Sequence, residues 1–137
     1  MKIIGFNLSK ISGHRMKPME ESVQIAQNID IKDVEKEKIP ISANDIINLK
    51  FNFSITYSKD TAKIEFEGSL ILMPEKDELK EFMKAWKDKK IPETERIHIF
   101  NFIMHKCNIK ALNIADELGL PLHIPMPRLG PNQNQPQ

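Results

Sequence analysis

Apolar and polar residues alternate through the first half of this chain, and a period near 3.6 takes over in the second half. Ile4, Phe6 and Leu8 alternate with Gly5, Asn7 and Ser9, which predicts an opening strand. From Ser12 to Ser22 the pattern lapses, with Pro18 inside it, and a loop is predicted. Val23, Ile25, Gln27, Ile29 and Ile31 then oppose Gln24, Ala26, Asn28, Asp30 and Lys32, the pattern of a second strand with one dry face. Glu35 to Asp45, containing Pro40, reads as a solvated connection. Leu49, Phe51, Phe53, Ile55 and Tyr57 mark a third strand, and Ile64, Phe66, Gly68, Leu70 and Leu72 a fourth. The short polar turn Ser58–Thr61 between them predicts an antiparallel hairpin, and such one-sided alternation suits an antiparallel sheet.

At Pro74 the period changes. Leu79, Phe82, Met83 and Trp86 lie at i, i+3, i+4 and i+7, an apolar stripe on a first helix. A second helix is predicted from Glu93 to Leu118, stopped by Gly119. Its main stripe is Ile99, Phe102, Ile103, Ala111, Ile114, Ala115 and Leu118. Ile97, Phe100, Met104 and Cys107 widen that stripe beyond what one sheet can cover, so the helix is expected to need a second partner. The fold class expected is therefore α+β, a four-stranded antiparallel sheet followed by two helices packed on one face.

Two segments fit neither period. Leu120, Leu122, Ile124 and Met126 alternate with Pro121, His123, Pro125 and Pro127, an extended run whose prolines cannot donate to a sheet ladder. It is too apolar to be left in water, and it either straps the domain or lines a groove. Met16 and Met19 fall in the predicted loop, where methionine either tucks against the domain edge or offers an adaptable binding surface.

The 137 residues suit one domain, expected over residues 1–129, with the polar residues 130–137 as a disordered tail. With 20 basic and 19 acidic residues the net charge is +1, which argues against nucleic acid as a partner. A single cysteine, Cys107, excludes an intrachain disulfide and points to a reducing compartment. The opening residues lack a signal-peptide pattern, and no run approaches the roughly 18 apolar residues that span a bilayer. The expected location is the cytoplasm, without membrane insertion.

Catalytic chemistry finds little support. His105 and Cys107 are two apart on a helix and point in different directions, so a buried, inert thiol is expected. His98 and His105 share a helix face but are separated by about 10.5 Å, too far for one metal ion. No phosphate-binding glycine loop, nucleophile elbow or zinc-protease motif occurs, so no cofactor, metal or enzymatic activity is expected. Glu65 and Glu67 share a strand face with Lys63, as on a solvated sheet surface.

The order of elements resembles the SecB export-chaperone family over residues 3 to 129. The features that carry it are four antiparallel strands, an early crossover loop, a broken helical segment and the run Leu118-Gly119-Leu120-Pro121-Leu122-His123-Ile124-Pro125. The resemblance implies an ATP-independent holdase that assembles as dimers of dimers and holds unfolded or pre-secretory polypeptides in hydrophobic grooves. It places the spare face of the long helix in a homo-oligomeric interface. It assigns client binding to Met16 and Met19 in the crossover loop and to Leu120, Leu122, Ile124 and Met126 after the helix. Docking of the motor ATPase SecA is not carried over, because Lys63 offsets Glu65 and Glu67. Two rival readings are a dedicated adaptor with one protein partner and a small-molecule or lipid-binding domain.

Overall fold

The computed structural model describes residues 1–19, 22–38, 40 and 45–131. Four strands, β1 (Lys2–Arg15), β2 (Ile25–Lys38), β3 (Asp45–Tyr57) and β4 (Ala62–Met73), precede two helices, α1 (Lys76–Lys87) and α2 (Glu93–Glu117). All neighbouring strands are antiparallel, in the order β1-β4-β3-β2. The chain therefore leaves β1 at one edge, crosses the end of the sheet, and enters β2 at the other edge. From there β2, β3 and β4 run back as a meander to β1.

The two central strands follow the sequence pattern closely. Leu49, Phe51, Phe53, Ile55 and Tyr57 of β3, with Ile64, Phe66, Leu70 and Leu72 of β4, are buried. Each such side chain contributes about 1.5–3 kcal/mol through apolar burial. Phe53 and Phe66 are cross-strand partners whose rings stack at a centroid distance of 5.7 Å.

The edge strands are longer than their alternation predicts, because bulges switch their faces. In β1 the register shifts between Ile3 and Gly5, so that Phe6 aligns with Leu70 while Ile4 is left 47% exposed. Ile4 therefore does not share the dry face with Phe6 and Leu8. The strand also runs on to Arg15, through residues expected to be loop. In β2 a shift between Ile31 and Asp33 carries the inward face from odd to even positions, so that Val34 opposes Leu49 and is buried. The Val34 amide donates to Asp33 Oδ1 at 2.9 Å beside this bulge. Glu35–Lys38, expected in a solvated connection, consequently continue the β2 ladder against β3. Most of that connection beyond Lys38 lies outside the described residues, as does the expected tail from residue 132 onward.

The helices cover one face of the sheet. Phe82 and Trp86 from α1 join Ile99, Ile103, Cys107, Ala111 and Ala115 from α2 in the core. This α2 stripe tapers from isoleucine to alanine, and its C-terminal half comes correspondingly close to β1. A Cβ placed on Gly13 would lie 2.5 Å from Ile114 Cγ2 and 3.1 Å from Leu118 Cδ1, so a glycine is what the approach requires. Helix α1 opens with the Glu75 amide donating to the Glu78 carboxylate at 3.0 Å. Helix α2 closes at Gly119, whose φ of +66° is the left-handed stop expected of it.

Candidate functional site

One end of the sheet gathers the three segments that sequence pattern left without an obvious place. The β3–β4 turn holds Lys59 and Asp60 in the left-handed region, at φ 57° and 54°. Its Thr61 carbonyl accepts from the amides of Met16 and Lys17 at 2.7 and 3.3 Å. On the other side of the turn, the Ser58 amide donates to the Gln24 carbonyl at 2.8 Å, and the Gln24 amide returns a bond to Ser58 Oγ at 2.9 Å. Both ends of the crossover loop are thus pinned to the turn. The segment after α2 is fastened to the same end. Arg15 donates to the Leu118 carbonyl at 3.1 Å, and the Tyr57 hydroxyl donates to the Pro121 carbonyl at 2.6 Å.

These anchors decide between strap and groove residue by residue. Leu120 is only 5% exposed and belongs to the core, so it has no surface to offer a client; that assignment is corrected. The Leu120 amide, donating to the Ala115 carbonyl at 2.8 Å, folds the chain back under the helix end and sends the side chain inward. His123 faces α2, its Nε2 2.7 Å from Asn108 Oδ1, and burial holds its imidazole below the ordinary pKa. Leu122 and Met126 are exposed, and Ile124 is half-buried. In the crossover loop Met16 is 45% exposed, whereas Met19 packs against the core.

The long helix needs a similar correction. Ile97 is 70% exposed, and Phe100 and Met104 are half-buried. Cys107 is fully enclosed within its own chain and cannot touch a second subunit; it shares the inner stripe with Ile103 and Ala111. Desolvation pushes its thiol up to about 12, the behaviour of an inert core cysteine.

On the opposite, helix-free face, Glu65 is matched by Lys10 at 3.2 Å and Lys63 at 3.3 Å. Those bonds, the one from Lys10 foremost, hold its carboxyl below the usual range. Among the described residues no three His, Cys, Asp or Glu side chains are grouped to hold a metal ion, and no helix is long and apolar enough to cross a membrane.

One surface was not anticipated from sequence. An open cleft of about 610 Å³ lies between the β2 edge and the α1–α2 connection. Ile29, Asp30, Ile31 and Lys32 form one wall; Trp86, Lys89, Lys90, Ile91, Glu93, Arg96 and Phe100 form the other. Residues from both faces of β2 reach the same cleft, which happens only at a free strand edge. The alternation of Ile29 with Ile31 and the stripe position of Trp86 were visible in the sequence. That β2 is an edge, with the helix connection facing it, was not.

No family model matches this chain, and no curated protein matches its sequence. Its fold is nevertheless found among solved structures. The SecB-like chaperone Rv1957 of Mycobacterium tuberculosis, solved in complex with a ChAD peptide from the HigA1 antitoxin Rv1956, superposes with a TM-score of 0.55 at 10% identity. The match covers 94% of this chain and 89% of that one, so the α+β architecture of this protein is SecB-like.

Proposed function

We propose that this protein is a polypeptide-binding chaperone that holds unfolded segments by apolar burial, without nucleotide hydrolysis or other catalysis. The observation that carries the reading is the cleft at an open strand edge, where apolar side chains lie among charged ones, set in a SecB-like fold. Phe100, Ile29 and Ile31, with the small exposed rim of the otherwise buried Trp86, offer non-directional apolar contact, worth about 25 cal/mol per Å² of area buried. The exposed backbone of the β2 edge can pair with an extended client. Leu122, Ile124 and Met126, together with Met16, extend the apolar surface at the sheet end. The reading includes self-association through Ile97 and Met104, into a dimer or tetramer, with Phe100 left to the cleft, and a cytoplasmic location in keeping with the single cysteine.

A stoichiometric aggregation-suppression assay without nucleotide, run beside a native mass measurement, tests this. Suppression for several unrelated unfolded clients is the expected result, and its absence for all of them would refute the proposal. Leu122→Ser combined with Ile124→Ser is expected to weaken holding several-fold while the native mass stays unchanged. The one-partner reading draws support from the neighbour's complex with a single antitoxin peptide. It predicts that most unfolded competitors are ignored.

A further inference from the structure

We infer that the β2-edge cleft selects extended client segments in which apolar side chains are flanked by carboxylates. This rests on the polypeptide-binding reading above and adds a charge preference to it.

The argument begins with the balance of charges around the cleft. On the β2 wall, Lys32 and Asp30 pair with each other at 3.6 Å. On the helical wall Lys89, Lys90 and Arg96 face a single carboxylate, Glu93. Among the described residues none of these three cations has a carboxylate partner. Two of them lie over the apolar floor instead: Lys89 Nζ is 4.7 Å from the Trp86 ring centroid, and the Arg96 guanidinium 5.4 Å from that of Phe100. A client side chain buried against Phe100 and the exposed rim of Trp86 would thus bring its sequence neighbours against cations that lack a carboxylate partner.

Lys89 adds a second, independent sign. It follows the end of α1 with φ 57°, and its amide donates to the Trp86 carbonyl at 2.8 Å. Glycine adopts that conformation without a Cβ penalty and is the usual residue at a left-handed helix stop. A lysine there accepts backbone strain at the position that sets its ammonium over Trp86. The free edge of β2 fixes the client's form as extended, since pairing with an edge uses main-chain groups and sends alternate side chains into the cleft.

Trp86 is the one tryptophan of the chain, so its emission reports directly on the cleft. The test titrates the full-length protein with two capped peptides of about ten residues, free of tryptophan and tyrosine. They share a leucine–phenylalanine core and differ in having glutamates or lysines at the flanks. The glutamate peptide is expected to bind about tenfold more tightly at low salt, as three partly exposed pairings would give, with the difference collapsing at about 0.5 M salt. Lys89→Glu with Lys90→Glu should invert the order. Lys89→Gly, which suits the backbone, should reduce the preference without loss of stability. Equal affinities, or tighter binding of the lysine peptide, would overturn the inference. If neither peptide perturbs Trp86 while aggregation suppression persists, the inference falls and the chaperone reading stands. If suppression is also absent, both fall.

Discussion

The Tyr57 hydroxyl donates a 2.6 Å hydrogen bond to the Pro121 carbonyl, joining the end of a central strand to the first residues beyond α2. Tyr57 is 2% exposed and Pro121 lies on the surface, so a buried ring carries its one polar atom out to an exposed acceptor. Tyr57→Phe keeps the packing and removes only this bond. It should cost about 0.5–1.5 kcal/mol in chemical denaturation, at the lower end because water can replace the lost donor. Faster amide exchange at Leu122 and His123, with β3 amides unchanged, is expected alongside.

His123 makes the same segment sensitive to acid. With Nε2 donating to Asn108 Oδ1, the proton of the charged form must go to Nδ1, which is enclosed and has no partner among the described residues. Burial therefore lowers the folded-state pKa below the unfolded value near 6.5. Between the two pKa values the unfolded chain binds more protons, so stability rises with pH there. His123 contributes fully above about pH 6.5, and that contribution is lost as pH falls through the folded-state pKa. Denaturation midpoints measured from pH 7.5 to 5 should decline, and His123→Gln should flatten this part of the profile. Identical profiles for the two proteins would remove His123 from the account.

Gly13 and Ile114 form a close approach of helix to sheet. Gly13→Ala places a methyl 2.5 Å from Ile114 Cγ2, an atom on a stiff β-branched side chain that cannot swing away. A loss of about 1–3 kcal/mol is expected from this overpacking. Adding Ile114→Ala should recover part of it, because the partner methyl is gone. A non-additive double-mutant cycle would locate the strain at this pair.

Cys107 should be silent toward thiol reagents in the native state. Its side chain is fully enclosed and its pKa is pushed up to about 12, so at pH 8 almost no thiolate forms. Labelling is expected to follow global unfolding, and to be equally slow at dilutions that dissociate any oligomer. Fast labelling of a folded monomer would show Cys107 to be accessible after all.

The four strands, the two helices and the Gly119 stop could be read from the chain, because period and capping residues are local properties. Leu49 to Tyr57 and Ile64 to Leu72 are the clearest case, since central strands have a neighbour on each side to hold their alternation. At the edges local pattern was a poorer guide. One extra residue near Ile4 and another at Lys32 turn the following side chains to the other face, and nothing in hydrophobic order announces a bulge. Cys107 and Phe100 looked equivalent on a helical projection, yet the sheet covers the first and leaves the second at a cleft.

What the amino-acid order determined alone is an antiparallel α+β chain with a surplus of apolar side chains for one sheet to bury. Tertiary structure decided where the surplus goes. Leu120 and Cys107 enter the core, and Trp86, Phe100, Ile29 and Ile31 meet at the free edge of β2. That edge exists because β1 pairs with β4, a contact between residues 47 to 71 positions apart. Periodicity, which senses only near neighbours, carries no information about such a pairing.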